Sequence, residues 1–241
     1  MKKLKDFVLI RINGLLGGKQ SIWASLIRLL AKRINSKFRN KEYVDLGLPS
    51  GLKWAKCNIG AKKETDYGSY FQWGDIGGKS NADCCWENYK HCDAFHLGRY
   101  LLAKYCTDGL YGTVDNKITL GSEDDVVTQI MGGKWRMPTK DDFQELLDNT
   151  DNEWVEDFNG TGMNGRKFTS KTDTSKYIFF PAAGYRDCGS VDDVGLYGDV
   201  WSSSLNTSRP YSAWYLHFNK GICTMYYCYR FDGRSVRGVM D

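Results

Sequence analysis

The chain has 241 residues, 41% of them hydrophobic, which is enough apolar length to bury a sizeable core in one or two domains. With 26 glycines, 4 prolines and 14% aromatics set in short Gly-punctuated runs, strands and loops are expected to outweigh helix. The net charge of +4 hides an asymmetry: residues 1–40 carry ten Lys/Arg against Asp6 alone, about +9, leaving about −5 for the rest, which excludes a globally basic nucleic-acid surface on the body.

At the N-terminus, Arg11 and Lys19 interrupt what would have to be the apolar stretch of a signal peptide. No run is long and apolar enough for a spanning helix, so neither a Sec signal nor a transmembrane anchor is expected. Ser21 caps an expected amphipathic helix with Trp23, Leu26, Ile27, Leu30, Ile34 and Phe38 on one face and Arg28, Lys32 and Lys37 elsewhere. This basic segment, residues 1–41, suits packing on the body or a sister subunit, docking into a larger assembly, or an anionic membrane, and the pattern does not choose among them.

From Glu42 the texture changes to short aromatic runs, YVDLGLPSGLKWAKCNIGA and YGSYFQWGD, placing a domain boundary near residue 41 and a body over 42–241. Leu101 to Cys106 reads as a short helix. In WRMPTKDDFQELLDN, Thr139 caps a helix whose Asp142 meets the free amides and whose Phe143, Leu146 and Leu147 form the apolar face. GTGMNG over 160–165 reads as a Gly-rich loop between strands rather than a dinucleotide fingerprint, because DFN and not a strand leads directly into it and RKFTS rather than a helix follows. KYIFFP is a buried strand ended by Pro181, and VWSSS a strand end whose serines bond locally. In AWYLHF, Trp214, Leu216 and Phe218 alternate with Tyr215 and His217; if the first set faces the core, the second faces outward.

Few residues carry the spacing of a catalytic or metal site. Of eight cysteines none forms a C-x-x-C pair, so most read as reduced thiols, and the spacing of Cys84, Cys85, His91 and Cys92 fits no familiar zinc finger or ribbon. Three histidines leave few places for acid–base catalysis, and Asp124 with Asp125 and Asp192 with Asp193 read as solvated loop carboxylates. No catalytic residue, metal or cofactor is implied.

The strings VDLGLPSGLKWAKCNIGA, YGSYFQWGD, WRMPTKDDFQELL, FFPAAGYRD, VWSSS and RSVRGV, in this order over residues 42–239, resemble the Fibrobacter succinogenes major paralogous domain, widespread in Bacteroidetes and their phages. The resemblance implies an α+β fold of the C-type-lectin-like group, which also holds the formylglycine-generating enzymes. Within that group the tail is similar to the variable regions of proteins diversified by retroelements, where adenines of a template are randomised. Asn codons treated in this way yield Tyr, Ser, His, Asp, Cys, Ile, Thr or Arg, and never Lys, Glu, Gln, Met or Trp. Between frame residues Trp201, Ser202, Ser203, Ala213, Trp214, Leu216, Phe218, Gly221, Met225, Arg230, Gly233, Ser235, Val236 and Arg237, the intervening Arg209, Tyr211, Ser212, Tyr215, His217, Ile222, Thr224, Tyr226, Tyr227, Cys228, Tyr229 and Asp232 all belong to the permitted set.

The resemblance therefore implies a non-enzymatic binding protein with a variable region of about 187–232. Its contact residues would be those twelve together with Tyr197 and Asp199. Tyrosine suits such a surface because it buries much area for little rotamer entropy. The implied partner is a protein or glycan ligand on a cell surface, with no nucleic acid. The implied location is a virion or cell surface, reached through oligomer or assembly contacts of the N-terminal helix. A competing reading takes Cys223 and Cys228, five residues apart, as the paired thiols of a formylglycine-generating-type copper oxidase. Others are a surface module with a fixed ligand and a calcium-dependent lectin, the last opposed by SRPYS at Pro210 and by the lack of a Trp-Asn-Asp string.

Overall fold

The computed structural model describes residues 42–78, 84–96 and 99–241, which lie within one compact unit. The expected helix of residues 21–38 and the docking role given to it fall outside the described residues.

The first hairpin, β1 (Tyr43–Asp45) and β2 (Lys53–Asn58), turns at Gly51, whose amide donates to the Leu48 carbonyl at 2.9 Å. The last strand, β14 (Arg237–Met240), inserts between β2 and the short β5 (Trp135–Arg136), giving a sheet of order β1-β2-β14-β5. The two ends of the described body thereby close on one another. A second sheet is the meander β6 (Thr150–Val155), β7 (Gly165–Ser170) and β8 (Tyr177–Pro181), with the 160–165 glycines in the expected loop between strands. A third is the meander β11 (Gly198–Leu205), β12 (Ser212–Phe218) and β13 (Cys223–Tyr229). Two small hairpins complete the strands: β3 (Cys92–His96) with β4 (Arg99–Leu102), and β9 (Tyr185–Arg186) with β10 (Val191–Asp192).

Only two α-helices occur among the described residues, α1 (Val126–Met131) and α2 (Lys140–Asn149), so this is a sheet-rich α+β fold with antiparallel strand pairing. No described helix is long and apolar enough to cross a membrane. Helix α2 begins as its residues require: the Asp142 amide donates to Thr139 Oγ1 at 3.1 Å, and the Thr139 amide to the Asp142 carboxylate at 2.7 Å. Phe143 and Leu146 are fully buried, with Leu147 beside them.

Four expectations change. Leu101 to Cys106 is not a helix: Leu101 and Leu102 belong to β4, and Tyr105 sits at φ 57° because the Asp115 carboxylate takes the amides of Tyr105 and Cys106 at 3.0 Å each. Asp124 and Asp125 are buried rather than solvated. Asp125 Oδ1 caps α1 by accepting from Val127 and Thr128 while Oδ2 accepts from Met137, and Asp124 accepts from Lys90, Lys104 and Tyr105. The serines of VWSSS lie within β11 and bond across the fold, Ser202 to the Trp214 carbonyl and Ser203 to that of Pro138.

The fourth concerns β12. Leu216 and Phe218 join a core cluster with Trp54, Phe143, Phe180 and Val200, while Tyr215 and Ala213 join another with Trp73, Tyr105 and Trp201. Tyr215 is therefore 5% exposed rather than outward, whereas Trp214 is half-buried with Lys140 3.8 Å above its ring. The third sheet has core on both faces, so alternation alone misplaces the residues between.

Candidate ligand-binding face

The register of the third sheet decides which tail residues meet. Asp199, His217 and Thr224 lie in one row across β11, β12 and β13, and Trp201, Tyr215 and Tyr226 in the next row on the same face. Asn219 builds the turn between β12 and β13, its side chain accepting from the amides of Gly221 (2.7 Å) and Ile222 (2.9 Å). Ile222 and Thr224 are thus exposed at the tip of the hairpin and on β13.

The other tail residues singled out from the sequence line two clefts that share Cys228 and Tyr229. The first, about 630 Å³, is walled by Arg209, Tyr211, Ser212, Tyr226 and Tyr227, with Tyr111 from far upstream. The Arg209 guanidinium lies 5.3 Å from the Tyr227 ring centre, and the Tyr211 hydroxyl donates to the Tyr100 carbonyl. Beneath this wall the Trp86 ring contacts Tyr100, Tyr211, Tyr229 and Phe231.

The second cleft, about 440 Å³, lies against the β9–β10 hairpin and takes in Tyr185, Asp187, Asp193, Tyr197, Asp199, Tyr215, His217, Phe231, Asp232 and Arg234. His217 Nδ1 and Asp199 Oδ1 are 2.7 Å apart, and the imidazole stacks on Tyr197 at 5.5 Å. Arg234 is fully enclosed, donating to Asp232 at 2.9 Å and lying 4.2 Å from the Tyr215 ring centre. Burial works against its charge, but the Asp199 and Asp232 carboxylates hold its pKa above the ordinary value. Burial pushes the Asp232 carboxyl up despite Arg234, and pushes the Tyr215 phenol up as well.

No family model, curated protein or solved structure matches the chain.

Ser212, Tyr215, Asp199 and Asp232 are buried and form cleft floor rather than open surface. Cys223 and Cys228 stand on β13 at odd spacing, so their side chains take opposite faces about 16 Å apart along the strand. Cys223 packs with the Phe218 cluster and Cys228 with the Tyr215 cluster, and burial pushes both thiols up to about 11. They do not meet as a paired copper site. None of the eight cysteines is in a disulfide, and no three His, Cys, Asp or Glu side chains converge as metal ligands among the described residues.

Sequence reasoning left out Tyr111, Tyr185, Asp187, Asp193, Phe231 and Arg234 as lining residues. Asp187, Asp193, Phe231 and Arg234 sit in or beside the tail and were within reach; Tyr111 carries no local signal, because only the tertiary fold brings it to Tyr211.

Proposed function

We propose that the protein is a non-enzymatic, retroelement-diversified binding protein. In this reading the body is a C-type-lectin-like scaffold, residues 187–232 form its variable face, and the ligand is a protein or glycan met at a virion or cell surface. One observation carries it: frame positions Trp201, Ser202, Ala213, Leu216, Phe218, Arg230, Ser235, Val236 and Arg237 are buried, while the permitted-set residues between them line two adjoining clefts or stand exposed beside them. A surface that tolerates substitution beside a core that does not is what diversification requires. The buried members of the set, Ser212, Tyr215 and Asp232, would reshape the clefts from beneath, at a cost in stability.

Tyrosine dominates the contact surface, with Tyr226 and Tyr229 each more than half exposed. Low monovalent affinity would be offset by displaying several copies, the role proposed for the N-terminal segment. Sequencing this gene across a population of its source, with the flanking DNA, tests the reading. Variation confined to codons 187–232 at positions that are adenine in a neighbouring template copy is the expected result. A uniform tail with no template repeat or reverse transcriptase nearby removes diversification and leaves a fixed-ligand module.

A further inference from the structure

The two clefts differ in charge. The first holds Arg209 and no carboxylate. The second holds Asp187 and Asp193 at its exposed rim and Asp199 and Asp232 buried in its floor, against the single fixed cation Arg234. Four carboxylates thus face one fixed cation in a recess walled by rings, where low-dielectric walls concentrate the field.

The rings matter as much as the charge. Tyr185, Tyr197, Tyr229 and Phe231 line the same recess, and aromatic faces attract ammonium and guanidinium groups. The floor already uses this chemistry from below: the Arg234 guanidinium lies against Tyr185, Trp201 and Tyr215 at 5.4, 4.8 and 4.2 Å. That floor is also one acceptor short, since the buried Arg234 Nε has no hydrogen-bond partner and stands 3.5 Å from Asp199 Oδ2. The carboxylates do not converge as a metal site among the described residues, which favours a larger, softer cation.

We propose that the cleft between the β9–β10 hairpin and β12 is a subsite for a basic side chain, lysine or arginine, of a protein ligand. The ligand's ammonium or guanidinium sits among the ring faces and the rim carboxylates Asp187 and Asp193. This deepens the reading of β11–β13 as a binding face and rests on it.

The test titrates the full chain with N-acetyl-lysine methylamide and N-acetyl-arginine methylamide, using the norleucine and glutamate analogues as neutral and acidic controls, and follows the Tyr and His ring resonances. The basic probes should saturate at least tenfold more tightly than norleucine, and weaken as salt is raised. Asp187→Asn and Asp193→Asn should each weaken the basic probes about threefold or more while leaving the unfolding midpoint unchanged. Asp193 has φ 58°, a conformation Asn also adopts readily.

Norleucine binding as well as lysine, preferred binding of glutamate, displacement of the basic probe by stoichiometric calcium, or rim variants that bind like the parent would each overturn the proposal. A uniform gene population would remove diversification without touching a measured preference for basic probes. A diversified gene whose product ignores those probes would remove this subsite alone.

Discussion

Arg230 Nε donates to the Tyr89 hydroxyl at 2.8 Å, joining the residue that follows β13 to a segment 141 positions earlier. The same guanidinium donates to the carbonyls of Tyr105, Pro210 and Lys104 at 2.9–3.0 Å and lies 4.9 Å from the Trp73 ring centre. One fully buried side chain thus ties the wall of the first cleft to the upstream loops. Arg230→Met leaves those carbonyls buried without a donor and should cost about 3 kcal/mol or more. Arg230→Lys keeps the charge but not the planar fork, and should recover little of the loss. Urea unfolding measures both, and a loss below about 1 kcal/mol for Arg230→Met would contradict the role.

Asp199 links His217 to Arg234, so Asp199→Asn should keep the shape of the floor while removing half of the negative charge on Arg234. A loss of about 1–3 kcal/mol is expected, the penalty of an under-compensated buried cation. His217→Gln, which disturbs only the partly exposed end of the chain of contacts, should cost less. The reverse order of the two variants in thermal unfolding would show that the floor is not organised around Arg234.

Acid should weaken the body through His91. Burial pushes His91 down to about 4, although Asp124 pulls the other way, so between about pH 6.5 and 4 the unfolded chain takes up a proton that the folded chain refuses. Stability is complete above pH 6.5 and falls by about 3 kcal/mol on the way to pH 4. Asp124 adds to the loss lower down. Burial acts to raise its pKa, but hydrogen bonds from Lys104, Lys90 and Tyr105 outweigh it and hold the carboxyl well below its ordinary 3.8, so its contribution is present above that value and disappears below it. Urea midpoints at pH 7, 5.5 and 4.5 should descend for the parent and be nearly level for His91→Gln across the same interval; parallel curves would refute the assignment.

Gly184 carries φ 63°, and a Cβ there would stand 1.9 Å from the Asp192 carbonyl. Its amide donates to the Tyr197 carbonyl at 2.8 Å, holding the β9–β10 hairpin against the start of β11. Gly184→Ala should cost about 2 kcal/mol or more and open the acidic cleft, because neither the backbone conformation nor the space suits a side chain. Shifts of the Tyr185 and Tyr197 ring resonances larger than those of Trp54 would locate the damage; a variant as stable as the parent would mean that the hairpin adjusts freely.

Copper distinguishes the oxidase reading. With Cys223 and Cys228 on opposite faces of β13, Cys223→Ser and Cys228→Ser, singly or together, should leave copper(I) uptake measured by competition with a chelator unchanged from the parent. Stoichiometric uptake abolished by either substitution would show that the hairpin refolds around the metal, and would return the enzyme reading to the front.

The capped helix α2, the Gly-rich loop after β6 and the strand ended by Pro181 were legible because each depends on neighbours in sequence: a cap and its amides, or an apolar run and its breaker. Asp124 and Asp125 were misread because their partners Lys90, Lys104 and Met137 are distant in the chain, and carboxylates look alike whether solvated or enclosed until those partners arrive. Tyr105 was misread because a single carboxylate at Asp115 overrides the helical pattern around it.

The sequence by itself determined the sheet-rich composition and the α2 helix, since these follow from residue type and short-range spacing. Only the tertiary structure decided that both faces of β12 meet core, that Arg230 and Arg234 are enclosed, that Cys223 and Cys228 point apart, and that one cleft is acidic while the other is not. The physical reason is that burial and charge pairing depend on which distant segments are brought alongside a strand, and the period of two along the strand carries no record of them.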